Sequence, residues 1–425
     1  MKEAPMKTNI WIMNHYAIEM LENRGGRHYW MAEVLKRDGY QPIVFGCNER
    51  HNGRGEYYPM NSQWQEQFSP TGVKYILIRS TKYNKNGIGR IINMVVFAFN
   101  LVLVSKKYSR KYGKPDIIYA SSVHPLTVFA AEIIARYFEV PCIGEARDLW
   151  PETLVAYGAI KRGSVIANLL YRAEKCMYRR ADAMIFTMEG VSDYIKEHKW
   201  DKDHGGSIDL NRVYYINNGV DLEQFDINKQ KYILPDADLD DPNTFCIVYT
   251  GSIRRANNLS LLLDAMPYLE DIGNLKILIW GSGNEIEILK EKAQSMGLHN
   301  RFVFKGLVNK IYIPSIVCRS DCNIFHWEKS SVNKYGYDYN KLFDYLAAGK
   351  IIFSTIQSGH SLLLKKNCGI ETNGPTPRDF ADGIRRIYMM SAEERAEWGK
   401  RARIAAVDYD FKVLTKKLEE IIESQ

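Results

Sequence analysis

The chain has 425 residues, too many for one small core, so two domains are the natural expectation. Hydrophobic residues at 46% and charged residues at 25% describe an ordinary globular protein, without repeats or low-complexity tracts. The net charge of +7 suits anionic ligands or a membrane surface and identifies neither, while seven scattered cysteines without a C-x-x-C pair imply reduced thiols and a cytoplasmic protein.

Taken in order, the amino terminus lacks the apolar core and cleavage site of a signal peptide. Apolar strand-like runs then alternate with helical patterns, which predicts parallel sheets wrapped by helices. The first series comprises 9–14, 42–45, 74–78, 116–120, 142–145, 183–187 and 213–216. Segment 226–243, DINKQKYILPDADLDDPN, is polar, acidic and proline-punctuated, the composition of a linker. A second series follows at 245–250, 275–280, 302–304, 322–325 and 351–353. The expected architecture is therefore α/β, with two tandem doubly wound Rossmann-like domains, 1–225 and 226–408, and a last helix from 409 to 425 returning to the first domain.

Ligands of such sheets bind at the carboxyl ends of strands, so the residues just beyond each strand matter most. Gly25, Gly26, Arg27 and His28 form a flexible turn into a helical pattern that runs to Asp38. After the strand ending at Ala120, Pro125 suits the first helical position and makes His124 the N-cap, which lifts its imidazole to the cleft edge. Glu145, Arg147, Asp148, Trp150 and Glu152 crowd charge beyond another strand, as a substrate wall or as a salt-bridged loop. In the second series, Gly251 and Ser252 with Arg254 and Arg255, and then Gly281, make glycine turns after strands.

Segment 88–104, IGRIINMVVFAFNLVLV, is nearly all apolar and precedes Lys106, Lys107, Arg110 and Lys111. Arg90, Asn93 and Asn100 share one narrow stripe, leaving a wide greasy face that suits a helix lying in an anionic membrane surface. A helix buried against the first sheet is the competing reading. No stretch reads as a membrane span.

The stretch 335–350, YGYDYNKLFDYLAAGK, joins an aromatic turn to an amphipathic helix that Gly349 ends. First-turn N–H groups there are free to face negative charge, so the stretch suits a phosphorylated ligand. Lys341 adds a cation, and Asp344, a turn further in, can grip sugar hydroxyls.

With these residues assembled, the chain resembles a retaining glycosyltransferase of family 4, which uses nucleotide-sugar donors and has the two-domain GT-B fold with a cleft between the domains. The resemblance rests on GGRH at 25–28, YASSVHPLT at 119–127, EARDLWPET at 145–153, INNGVDLEQF at 216–225, YTGSIRRANNL at 249–259 and YNKLFDYLAAGK at 339–350. It lies nearest the branch that adds N-acetylated sugars such as N-acetylfucosamine or N-acetylglucosamine in bacterial surface polysaccharide, O-antigen or capsule. Acceptors there are typically carried on a polyprenyl diphosphate at the inner membrane face.

The resemblance implies a UDP-sugar donor. Asp344 stands where the family binds the ribose hydroxyls, the loop 336–340 with Tyr339 and Asn340 would hold the diphosphate beside Lys341, and Gly281, Lys305 and Gly306 would contact the uracil. Gly25 and Gly26, with Gly251 and Ser252, would let the backbone approach the donor. His124 matches the histidine beside the donor sugar, and Arg27, His28, Glu145, Arg147 and Asp148 fall on the acceptor side. Two departures stand out. Gly336 occupies the position of a second family carboxylate, which rules out a covalent intermediate there and favours front-face displacement. Ser252 and Asn257 replace the usual phosphate-binding Arg and Lys, leaving Arg254, Arg255 or Lys341 to supply the charge.

No metal or other cofactor is expected. The triplets Asp236-Ala237-Asp238 and Asp238-Leu239-Asp240 look like a metal-binding D-x-D but sit in the linker after no strong strand. A UDP-sugar epimerase or hydrolase of the same fold, or a non-catalytic sugar-nucleotide-binding subunit, are the alternatives.

Overall fold

A computed structural model describes residues 8–50, 55–83, 87–122 and 124–425. The amino-terminal stretch read for a signal peptide lies partly outside those residues, as does Val123 of the Ser121–Pro125 run. Two compact units result, Met1–Asn217 with Phe411–Gln425, and Asn218–Asp410.

The first unit is built on an eight-stranded sheet in the order β3-β4-β2-β1-β5-β6-β7-β8. Its strands are β1 Asn9–Asn14, β2 Gln41–Cys47, β3 Trp64–Phe68, β4 Lys74–Ile78, β5 Ile117–Ser122, β6 Cys142–Ala146, β7 Ala183–Phe186 and β8 Val213–Tyr215. All neighbours run parallel except the edge strand β3, antiparallel to β4. Reading WQEQF, β3 is polar and only half-buried, so it carries no apolar run to announce it. Strands covered on both faces are mainly apolar, with polar groups such as Asn14, Ser121 and Glu145 towards their carboxyl ends, and Ile10 to Met13 of β1 are wholly buried. Trp11 packs at 4.8 Å from Phe45 and 5.6 Å from Phe138, tying strands to helix.

The second unit has a six-stranded parallel sheet in the order β11-β10-β9-β12-β13-β14. These are β9 Phe245–Thr250, β10 Leu275–Trp280, β11 Phe302–Gly306, β12 Cys322–Phe325, β13 Ile351–Ser354 and β14 Gly369–Glu371. Along β9, Phe245, Ile247 and Tyr249 enter one core cluster while Cys246 and Val248 enter the other, the period of two that a strand imposes. The second cluster also receives Leu342, Phe343 and Leu346, the inward face of helix Asn340–Ala348.

Segment 226–243 is not a linker. It holds the end of helix Leu222–Lys231 and the short helix Ala237–Asp240, and its carboxylates are paired: Asp238 with Lys276 and Lys305, each at 2.6 Å, and Asp240 with Arg319 at 2.6 Å. Composition marks acidity and proline but says nothing of lysines far along the chain that neutralise it. The break falls at 217/218 instead of 225/226, because Val220 and Phe225 pack into the second unit's core. Helix Phe411–Glu423 packs against helix Arg27–Arg37, with Lys416 at 3.0 Å from Asp38 and the Tyr40 hydroxyl donating to Glu423 at 2.9 Å.

The apolar segment forms one long helix, Ile88–Tyr112. By length and composition alone it is long and apolar enough to cross a bilayer, and 33% of its most apolar window is buried inside the protein. Its polar stripe is the inner seam: Asn93 donates to the Thr81 carbonyl at 2.5 Å and Asn100 to the Arg79 carbonyl at 2.8 Å. Met94, Phe97, Leu101 and Val104 are buried beside that seam, while Ile88, Ile91, Ile92, Val95 and Phe99 remain exposed on the opposite side. The reading of a helix buried against the first sheet thus holds for one side of it. The seven cysteines are all free.

Candidate functional site

In the second unit, helix Asn340–Ala348 starts directly after an aromatic turn and presents its first turn without a side-chain cap. Gly349, with φ +65°, closes it in the left-handed conformation that glycine adopts without strain. Phe325 packs at 5.2 Å from Tyr339, and Trp327 stacks on the same ring at 4.6 Å, fixing the turn's approach to the helix. The result is a helix amino terminus whose N-cap residue, Tyr339, makes no side-chain capping hydrogen bond to the positive end of the dipole.

Lys341 does not point to solvent. Its Nζ donates to the Tyr249 hydroxyl at 2.8 Å and lies 4.0 Å from that ring's centroid, with Trp327 at 5.8 Å. Burial among these rings pushes its ammonium down to about 7. One turn on, half-buried Asp344 is pushed up to about 6 by burial, against the opposing influence of Lys310. Two groups of opposite type are thus held near the middle of the pH range, each short of the counter-charge or hydrogen bonds that would fix its ionised form.

The loops after β9 and β10 come together beside this helix at Gly251 and Gly281, where a side chain would not fit. A Cβ on Gly251, which has φ +140°, would lie 2.9 Å from Lys341 Nζ, and one on Gly281 would lie 1.7 Å from the Gly251 carbonyl oxygen. Backbone bonds lock the loops together: Gly251 N–H to the Trp280 carbonyl, Ile253 N–H to Ser282 and Gly281 N–H to Gly306, each at 2.9 Å. Ser252 Oγ donates to Asn257 Oδ1 at 2.9 Å, and the Arg254 N–H reaches the same oxygen at 3.3 Å. Asn257 Nδ2 is buried without a partner among the described residues, while the side chains of Arg254 and Arg255 are exposed. Lys305 is committed elsewhere. Its Nζ sits 2.7 Å from Asp236 and 2.6 Å from Asp238, so the acidic triplet neutralises a lysine and the ammonium is not offered to a base.

In the first unit, Gly26, with φ +103°, opens helix Arg27–Arg37, and Gly25 precedes it. Arg27, His28 and Glu145, read as acceptor-side groups, form a buried network instead. Arg27 Nε donates to Glu145 at 2.7 Å, its other nitrogens donate to the carbonyls of Asn217 at 2.5 Å and Ile216 at 3.0 Å, and His28 Nε2 lies 3.1 Å from Glu145. Ser121 donates to the same carboxylate at 2.7 Å, as does the Tyr119 hydroxyl. Burial opposes the Glu145 charge, but Arg27 and then His28 hold its carboxyl well below the usual range. Such a saturated network positions backbone and has little left for a ligand. Arg147, half-buried, and Asp148, exposed, remain at the surface of the same loop.

His124 is the N-cap residue of helix Pro125–Phe138, with Pro125 in the first turn, but its ring is buried and not at an edge. Its Nε2 lies 2.9 Å from Nδ1 of His15, and its Nδ1 has no partner among the described residues. Burial and then the nearby Arg90 push it down to about 3, so the ring is neutral.

Sequence reasoning missed His15, although it stands directly after β1 where ligand groups were sought. It also missed Tyr249, which carries Lys341, and Tyr345, whose hydroxyl accepts from the Thr250 N–H at 2.9 Å. These aromatics read as core residues in a strand and a helix, so nothing in their pattern marks them. His326 was likewise unread: it joins Thr355 Oγ1 at 2.7 Å and the Asn258 carbonyl at 2.9 Å, stitching three loops.

Residues 235–405, all within the second unit, match the family model described as Glycosyl transferases group 1. An uncharacterised glycosyltransferase of Methanocaldococcus jannaschii is 24% identical over 199 residues, a match spanning 45% of this chain and 47% of that protein. Among solved structures, sucrose-phosphate synthase of Thermosynechococcus elongatus matches with TM-score 0.70 at 16% identity, covering 98% of this chain and 99% of its own. HepE of Anabaena, in complex with UDP, matches with TM-score 0.66 at 14% identity over 98% and 100%. The UDP-forming α,α-trehalose-phosphate synthase of Burkholderia vietnamiensis matches with TM-score 0.70 at 11% identity over 99% and 100%. The fold of two parallel-stranded α/β units is thus the GT-B fold over nearly the whole chain.

Proposed function

We propose that the protein is a retaining, metal-independent glycosyltransferase that moves a sugar from a UDP-sugar to a lipid-linked or saccharide acceptor in surface-polysaccharide biosynthesis. One observation carries the donor half: an uncapped helix amino terminus that holds Lys341 and Asp344 a turn apart, with Gly251 of the loop after β9 close against Lys341. The match of residues 235–405 to group 1 glycosyl transferases supports the same reading.

In this reading the diphosphate takes the place in front of Asn340, and its charge keeps Lys341 protonated. Asp344 accepts hydrogen bonds from the ribose hydroxyls. Gly281 and the backbone at Lys305 and Gly306 flank the base. Arg254 and Arg255 are exposed and close behind Ser252, and either can add charge to the phosphates. As the bond from the anomeric carbon to the diphosphate breaks, preorganised N–H groups and cations stabilise the departing oxygen, and losing one such partner typically costs about 3 to 4 kcal/mol. The acceptor oxygen bonds to the same face of that carbon, and its proton passes to the departing diphosphate. Gly336 offers no nucleophile for a covalent route.

The first unit supplies His124, whose Nδ1 is buried without a partner among the described residues and is left for a sugar hydroxyl, and Arg147 and Asp148 for the acceptor, with the Glu145 network as their brace. Helix Ile88–Tyr112, apolar outside and basic at its end, lies on the cytoplasmic membrane surface where a polyprenyl-diphosphate-linked acceptor is presented. The N-acetylated sugar remains part of the proposal through the sequence resemblance.

Incubation with a panel of UDP-sugars, with and without a lipid-linked acceptor, tests the reading. Acceptor-dependent release of UDP is expected. An altered free sugar would mean epimerisation, hydrolysis without acceptor dependence would mean a hydrolase, and binding without turnover would mean a sugar-nucleotide-binding subunit.

A further inference from the structure

Three helices of the first unit stand side by side: Ile88–Tyr112 packs on Pro125–Phe138, which packs on Val165–Arg180. The outer stripe of the first exposes Ile88, Ile92, Val95 and Phe99. The middle helix adds Ile133 and Tyr137, and the third opens with Val165 at 84% exposure, Ile166 at 62% and Leu169 at 64%. Single exposed aliphatic side chains are ordinary, but a succession across three adjoining helices marks an interaction surface.

Charge on this face is predominantly basic, with exposed Glu139 at the end of the middle helix as its one carboxylate among those three helices' exposed residues. The sequence holds no aspartate or glutamate between Glu66 and Asp116, and none between Glu152 and Glu174. Glu132 of the middle helix and Glu174 of the third are turned inward, 4% and 2% exposed. Basic residues remain: Lys106, Lys107, Arg110 and Lys111 end the first helix, Arg136 lies on the middle one, and Lys161 and Arg172 flank the exposed start of the third. Lys106 Nζ sits 4.1 Å from the centroid of the Tyr137 ring, so the basic end of the first helix meets the apolar stripe of the second.

We propose that Val165, Ile166 and Leu169, flanked by Lys161 and Arg172, form a second membrane-insertion point, so that the first unit docks on an anionic bilayer through three helices. The inference rests on the membrane reading of Ile88–Tyr112 and extends it. A lone interfacial helix leaves a folded unit free to roll about that helix's axis, whereas a second insertion point beside it fixes the tilt. Apolar side chains enter the acyl boundary while the flanking lysines and arginines stay with anionic headgroups. A second copy of this chain fits the face poorly, because a two-fold interface would set its basic residues against themselves with Glu139 alone to offset them.

The test is sedimentation of the full chain with vesicles of phosphatidylcholine alone and of phosphatidylcholine mixed with phosphatidylglycerol. Two variants are compared, Ile166→Asp with Leu169→Asp, and Ile92→Asp with Phe99→Asp. The wild type is expected to partition onto the mixed vesicles and to be released by salt, and each double variant to lose at least tenfold in partitioning at unchanged Tm. Should the aspartates lower Tm, Ile166→Ser with Leu169→Ser is expected to give the same loss. Wild-type partitioning by the Ile166/Leu169 variant alongside loss by the Ile92/Phe99 variant would overturn this inference and leave the single-helix reading intact. Absence of wild-type binding to any vesicle would overturn both. A concentration-dependent dimer dissolved by the Ile166/Leu169 variant would assign the face to a second copy and also overturn it.

Discussion

Lys341 is a lysine kept short of charge. With burial holding it near 7 and a tyrosine hydroxyl as its hydrogen-bond partner, part of the population is neutral at physiological pH. A diphosphate beside it would raise that value, so nucleotide binding at pH 8 is expected to take up a proton. Titration calorimetry in two buffers of different ionisation enthalpy reads this directly: uptake in the wild type, none in Lys341→Ala. The sign follows from linkage, and affinity for UDP is expected to weaken as pH rises through 7 towards the bound-state value. His124→Ala is further expected to lower turnover more than donor affinity, as steady-state kinetics would show by a fall in kcat at little-changed KM, whereas Lys341→Ala is expected to lower kcat and weaken UDP binding together. At this scale the sequence revealed which residues stand at strand ends and helix starts, but not which way they turn. His124 and Lys305 were rightly placed along the chain, yet one ring is buried against His15 and one ammonium is held by Asp236 and Asp238. Partners that distant in sequence leave no local pattern.

At the scale of elements, the helix Asn340–Ala348 was the most legible part of the site, since apolar spacing and a closing glycine both mark it. Helix Ala392–Val407 opens on a capping box of Ser391 and Glu394, a pattern equally plain in sequence. Strand β3 was invisible, and helix Ile88–Tyr112 was ambiguous for a physical reason: it has apolar faces on both sides of a polar seam, one for the sheet and one for its surroundings. The interlocked loops after β9 and β10 yield an expectation of their own. A Cβ at Gly283 would lie 1.7 Å from the Ile253 carbonyl oxygen, a contact that only backbone movement relieves. Gly283→Ala is therefore expected to destabilise the protein by about 1–3 kcal/mol, the range for overpacking, measurable by urea denaturation. Because Ile253 leads into Arg254, nucleotide affinity is expected to fall with it.

Over the molecule as a whole, alternation of strands and helices was enough to predict two α/β units, whereas their border was not, since acidity and proline suggested a linker where packing made helices. Stability of the first unit should carry the mark of its inward carboxyl groups. Glu174, bonded by the hydroxyls of Tyr178 and Tyr194 at 2.6 Å each, is pushed up to about 8 by burial. The folded unit keeps a proton that the unfolded chain releases above about 4.3, so this stabilisation is complete below that value and is lost as pH rises towards 8. Thermal denaturation is expected to show Tm falling across that window, and Glu174→Gln to flatten the fall.

The central claim is that a nucleotide's phosphates sit at the amino end of helix Asn340–Ala348 with the ribose on Asp344. Calorimetric titration of UDP into the wild type and a folded Asp344→Ala variant tests it most directly. Wild-type binding with a loss of roughly 1.5–3 kcal/mol in the variant, the worth of a hydrogen bond to a charged group, is the expected result. Equal affinity in the two proteins, or no UDP binding by either, would contradict the account.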